Sequence, residues 1–150
     1  MPRASLDANV LVYGVDASNP EKHRIAQRVI TLAAERDCVL TLQALAEFYF
    51  VATRKGKLGA GEAKAQVNEL RSLFPLALPS GRSLGLAMEA SDRHRIGFWD
   101  GMLIAVAQEA GVEILFTEDL QDGQIYDGVR CLNPFTRNAA QLAKLIRTVR

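Results

Sequence analysis

The chain is poor in the residues that mark several specialised protein classes. It has two cysteines, Cys38 and Cys131, each in an apolar stretch without metal-ligand spacing or a nearby histidine. That excludes a disulfide framework and a zinc cluster, and two buried, reduced thiols are expected. Its two histidines, His23 and His94, are far apart and have no serine or cysteine motif beside them, so a nucleophilic triad has no support. The five prolines are scattered, and neither a low-complexity linker nor an internal repeat is visible. No apolar run approaches the roughly eighteen residues that span a bilayer, and the opening Met-Pro-Arg-Ala-Ser-Leu-Asp carries no apolar leader. A cytoplasmic protein with no membrane partner is expected. Nor is there an excess of one charge: eighteen Lys and Arg face seventeen Asp and Glu, a net of +1, which excludes a histone-like polycation.

What is present is a globular composition. Across 150 residues, 49% are hydrophobic and 23% charged, enough for one core, and a single domain over residues 1–150 is expected. Strand and helix signals alternate along it. Residues 4–6 read as a short buried strand turning into a helix near 10–13, and residues 21–36 carry Ile25, Val29, Leu32 and Ala33 at helical spacing. A strand at 39–42, a helix at 43–54, a helix at 62–72 and a short strand at 74–78 follow. Two helices at 84–93 and 98–109, split at Gly97, precede the strand 112–116, with Gly111 as a C-cap. A polar turn at 118–123, a strand at 129–132 and a helix at 138–149 complete the pattern. Such alternation predicts an α/β fold, a three-layer α/β/α sandwich with a mainly parallel central sheet. Its functional groups should gather at the carboxyl ends of the strands.

Those ends are acidic. Asp7 closes the first strand, Asp119 follows the strand 112–116, Glu47 lies in the first turns of the helix after the second strand, and Asp100 lies in the first turn of the helix at 98–109. Each alone has an ordinary explanation: a cap for Asp100, a turn initiator for Asp119, a solvated helix residue for Glu47. Asp7 is different, because apolar strand residues flank it and no local partner is evident. Four converging carboxylates would repel and raise one another's pKa values unless a cation sits among them. All-oxygen donors suit Mg²⁺ or Mn²⁺, which can activate a water against a phosphodiester without a nucleophilic Ser, Cys or His.

These blocks carry a family resemblance. Ser-Leu-Asp-Ala-Asn-Val-Leu-Val-Tyr at 5–13, Ala-Glu-Phe-Tyr at 46–49, Phe-Trp-Asp-Gly-Met-Leu-Ile-Ala-Val-Ala at 98–107 and Leu-Phe-Thr-Glu-Asp-Leu-Gln-Asp-Gly at 115–123 resemble the motif blocks of PIN-domain ribonucleases. The toxin half of VapBC-type toxin-antitoxin pairs is the most similar group. The resemblance spans nearly the whole chain in the right order. It implies a metal site of Asp7, Glu47, Asp100 and Asp119, with Asn9 and Thr117 as supporting polar groups, and divalent-metal-dependent cleavage of RNA restrained by an antitoxin. It also implies a homodimer. Between Glu118, Asp119 and Asp122 the last ligand is open; Asp119 is favoured, with Asp122 as a secondary contributor. Gly101 stands where such proteins often have Ala, which should weaken the helix slightly.

With the four site carboxylates set aside, eighteen basic residues face thirteen acidic ones, enough for an RNA-facing rim. Arg54, Lys55 and Lys57 are candidates, as are Arg93, His94 and Arg95 just ahead of Asp100; Arg93 and Arg95 are favoured. The segment 56–61 lacks a Gly-Lys-Ser/Thr ending and a preceding strand, so it reads as a helix connection and not a phosphate loop. Trp99 is expected to anchor its helix to the core, with base stacking as the alternative. The apolar side of the last helix, Leu142, Leu145, Ile146 and Val149, could pack on the sheet or serve a dimer or partner helix. A Rossmann-like phosphatase would need a second acid two residues after Asp7, where Asn9 stands instead. A degenerate domain that binds RNA or protein without cutting is the non-enzymatic alternative.

Overall fold

A computed structural model describes residues 2–54 and 57–150. Six strands form one sheet: β1 (Arg3–Leu6), β2 (Cys38–Thr41), β3 (Leu76–Ala77), β4 (Val112–Phe116), β5 (Ile125–Tyr126) and β6 (Val129–Leu132), in the order β3-β2-β1-β4-β6-β5. All neighbours are parallel except β5, which runs antiparallel to β6 as a hairpin edge. Among the described residues seven α-helices accompany the sheet: α1 (Ala8–Tyr13), α2 (Pro20–Ala33), α3 (Leu42–Arg54), α4 (Ala60–Leu73), α5 (Gly81–His94), α6 (Phe98–Glu109) and α7 (Ala139–Arg147).

The period-two alternation of the strands sorts their side chains to two cores. Ala4, Leu6, Cys38, Leu40, Ile114 and Phe116 join the core that contains α1, α2, α3 and α7. Val39, Leu115, Val129 and Cys131 point the other way, against Leu103, Ile104 and Ala107 of α6. The α/β sandwich read from the sequence is therefore the fold, and both cysteines are buried and free. The helix starts also follow local chemistry. Asn19 caps α2 by accepting the Lys22 N–H at 3.2 Å, with Pro20 in the first turn, and Asn138 and Gln141 form a reciprocal cap on α7. Gly111, at φ 76°, takes the left-handed turn that lets α6 run into β4.

Two features depart from the sequence reading. The strand expected at 74–78 shrinks to Leu76–Ala77, and β5, two residues long, lies where no strand was expected. Gly101 faces the backbone of α5: a Cβ on it would stand 2.6 Å from the Ala87 carbonyl oxygen and 3.3 Å from the Ser91 nitrogen. Its missing side chain is thus what lets α5 and α6 approach, so the expected helix weakening is the lesser effect. Among the described residues no helix is long and apolar enough to cross a membrane.

Candidate active site

The chain lays down β1, β2 and β3 in one direction and then returns to the other side of β1 to form β4, which makes the β1–β4 boundary the switch point of the sheet. Leu6 pairs with Phe116 there, so the residues that follow them, Asp7 and Thr117, leave the sheet side by side. The Asp7 N–H donates to the Phe116 carbonyl at 2.9 Å, which extends the ladder by one residue and fixes Asp7 in place.

Asp7 is only 5% exposed and also caps α1. Its Oδ1 accepts the Ala8 N–H at 2.7 Å, and its Oδ2 accepts the Thr117 hydroxyl at 2.7 Å and the Asn9 amide at 3.3 Å. Burial pushes its carboxyl up to about 6; the Thr117 and Ala8 hydrogen bonds oppose the rise, and the charges of Asp119 and Glu47 add to it. Asn9 also donates to Thr117 Oγ1 at 3.2 Å and to Asp119 Oδ2 at 3.1 Å, while the Asp119 N–H donates to Thr117 Oγ1 at 3.1 Å. One amide thus ties the ends of β1 and β4 together and aims two carboxylates toward the same space.

Asp100 approaches from the first turn of α6. Its carboxyl is raised by burial, with Asp119 adding to the rise. Glu47 is exposed on α3, and the Gln43 amide on that helix donates to the Trp99 carbonyl at 2.9 Å, pinning the start of α3 to the start of α6. Beneath the site on β6, the Cys131 thiol is pushed up to about 12, chiefly by burial and further by Asp7 and Asp100. Asp7 thus feels the charges of Asp119 and Glu47, and Asp100 feels that of Asp119, while Glu47 and Asp119 line one cleft. Among the described residues no three or more His, Cys, Asp or Glu side chains are gathered closely enough to hold a metal ion as they stand. The donors of the four acids are nonetheless all carboxylate oxygens, since Asn9 turns its NH2 and not its oxygen toward them, and Mg²⁺ and Mn²⁺ suit such oxygens, Mg²⁺ keeping most of its waters on one or two carboxylates. In donor chemistry these residues suit either ion.

The remaining candidates have other attachments. Glu118 turns away to Lys22, whose ammonium lies 2.7 Å from Glu118 Oε2 and over the rings of Tyr13 and Phe135. Asp122 Oδ1 accepts the Asn133 N–H at 2.8 Å and an Arg137 N–H at 3.0 Å, so it staples the turn after β4 to the start of the next segment. Arg93 is bound to Asp127 at 2.6 Å and to Glu89 at 3.2 Å, and Arg95 is the left-handed residue that ends α5. Arg54 lies over the Phe50 ring at 5.3 Å in the last turn of α3, and Lys55 lies outside the described residues. Trp99 does not anchor α6 to the core: it is 63% exposed and touches Phe98 edge-on. Sequence reading also missed Asp16, in the connection from α1 to α2, which pairs with Lys57. No spacing signal links two residues that far apart. Together with Asn9, Tyr13, Glu47 and Asp119 they line a cleft of about 230 Å³ on the Glu47 side of the site.

The PIN domain family model matches residues 4–126. Among solved structures, VapC20 from Mycobacterium tuberculosis, a sarcin-ricin loop cleaving toxin, superposes with a TM-score of 0.63 at 19% identity, covering 85% of this chain and 98% of that one. A toxin-antitoxin complex from Klebsiella pneumoniae gives 0.62 at 17% identity, covering 87% and 97%. VapBC2 from Rickettsia felis, bound to a DNA fragment from its promoter, gives 0.64 at 14% identity with the same coverage. No curated protein matches the sequence significantly. At these identities the structural likeness is one of fold. The family match runs from the strand that carries Asp7 through the turn that carries Asp119, and the chain belongs to the PIN domain family.

Proposed function

We propose that this chain is a divalent-metal-dependent endoribonuclease and the toxin component of a VapBC-type toxin-antitoxin pair. The observation that carries this reading is Asp7, a carboxylate 5% exposed at the switch point of the sheet, raised chiefly by its burial and further by Asp119 and Glu47, with no cation among its hydrogen-bond partners. A protein that holds Asp119, Glu47 and Asp100 around such a group accepts a cost that a bound cation would remove. Asp7, Asp100 and Asp119 would hold Mg²⁺ or Mn²⁺, with Glu47 as a further ligand or acting through water. When bound, the ion supplies a water of lowered pKa and charge to offset that developing on the phosphodiester. Asn9 and Thr117 keep Asp7 and Asp119 oriented through the hydrogen bonds described above. Asp122, stapling the turn after Asp119, contributes indirectly.

The substrate is RNA, met by Arg54 of α3 and, from the α5 side, by Arg93 and Arg95, with Lys55, outside the described residues, as a further contact. A cognate antitoxin is the protein partner in this reading, which draws support from the toxin-antitoxin complexes of similar fold. A homodimer is proposed on the exposed Leu84 and Met88 of α5 and Trp99 of α6, apolar side chains on neighbouring helices. The setting is cytoplasmic. The test is incubation of purified, antitoxin-free protein with a mixed cellular RNA pool and Mn²⁺ or Mg²⁺, beside EDTA and Asp7→Asn controls. Discrete products that vanish in both controls are expected. Intact RNA from folded protein under every metal condition would favour a binding-only domain.

A further inference from the structure

The cleft beside Asp119 is lined by four acids, Asp16, Glu47, Glu118 and Asp119, and by one cation among its described residues, Lys57. Glu118 is already balanced by Lys22. Lys57 reaches in from the α3–α4 connection to pair with Asp16 Oδ2, and the two side chains keep only 21% and 11% of their exposure. Asp16 is itself held, since its Oδ1 accepts the Ser18 N–H at 3.0 Å. A lysine left free here would swing on its four-carbon stem toward Glu47 and Asp119, the groups a metal ion would need. Asp16 instead keeps the ammonium at the cleft wall, and with three donors and one carboxylate partner it retains donors for another anion.

We infer that Lys57 contacts a phosphate of the RNA strand in this cleft and that Asp16 is its resting partner, which the phosphate displaces. This deepens the ribonuclease reading and rests on it. An acidic cleft repels a polyanion, so a cation that changes partner as the strand arrives supplies attraction without crowding the carboxylates beforehand.

The experiment measures binding of a short labelled single-stranded RNA by fluorescence anisotropy in EDTA across roughly 50 to 200 mM salt, where each phosphate contact on a single strand contributes a slope of about 0.7. Lys57→Met should weaken binding on the order of tenfold, the scale of one charged hydrogen bond, and Lys57→Arg should restore most of it. It should also lower the salt slope by about 0.7. Asp16→Asn should tighten binding by roughly threefold, as expected for releasing a partly exposed ion pair. That gain should disappear in the Lys57→Met background. A purely structural ion pair predicts that both single variants melt earlier and neither changes the salt slope, which would overturn the inference. A gain from Asp16→Asn that persists undiminished without Lys57 would overturn it too, because it would report only the loss of a negative charge. In Mn²⁺, Lys57→Met should raise KM with little change in kcat. If the wild type cleaves RNA and this variant keeps its KM, Lys57 is not a contact; if the wild type does not cleave at all, the ribonuclease reading fails first.

Discussion

Replacing Asp7 with asparagine in metal-free protein isolates the energy stored in the buried charge. Its carboxyl sits at about 6 in the fold against an ordinary 3.8, so the native state holds a proton that the unfolded chain has released throughout that interval. Stability therefore falls as pH rises through the window, and by about pH 7.5 the accumulated penalty is about 3 kcal/mol. Asparagine carries no such penalty, but it fits the hydrogen bonds less well. Its oxygen can accept the Ala8 N–H, whereas its amide faces the Thr117 hydroxyl and the Asn9 amide, which both donate to Asp7. That mismatch costs about 1 kcal/mol. The variant should thus be more stable than the wild type by about 2 kcal/mol near pH 7.5, and less stable by about 0.5 kcal/mol near pH 4, where most of the charge penalty has gone. Urea unfolding in EDTA at both pH values measures the difference. A stability gap that stays constant between the two pH values would refute the reasoning, because it would mean that Asp7 titrates like an ordinary surface carboxylate.

Helix propensity alone makes Gly101→Ala stabilising by about 1 kcal/mol. The 2.6 Å approach to the Ala87 carbonyl reverses that sign, and a net loss of about 2 kcal/mol is expected by thermal or urea melting. Asp122→Ala removes both the Asn133 N–H acceptor and the Arg137 partner, so it should lower stability by about 1 kcal/mol. Melting should show the same loss with and without Mn²⁺, whereas Asp119→Asn should change the Mn²⁺ dependence itself.

The fold was legible because the apolar runs of the strands and the apolar stripes of the helices alternate cleanly, and the observed bounds of α6, β4 and β6 are those of the pattern. Asp7 was legible for a related reason: a charge set between an apolar strand and an apolar helix demands an explanation. What sequence could not supply was direction. That Arg93 pairs with Asp127 and that Arg95 turns the end of α5 are attachments that sequence spacing does not display. Trp99 neighbours Asp100 yet points to solvent, because adjacent helical residues point about 100° apart. β5 escaped notice because two residues cannot display a period. Lys57 and Asp16 meet only through the tertiary fold, and Gly101 is explained by a neighbouring helix that propensity does not see.

The bond from the Thr117 hydroxyl to Asp7 joins positions 110 residues apart, and β1 has β4 as one of its two neighbours. β1 therefore waits for a strand made more than a hundred residues later before its second edge is filled. Until residues 112–119 have emerged, the Asp7 carboxylate has neither its orienting donors nor Asp119 as a companion. The carboxylate cluster therefore comes into being only when two distant stretches of the chain have met, and no shorter piece of this fold contains it.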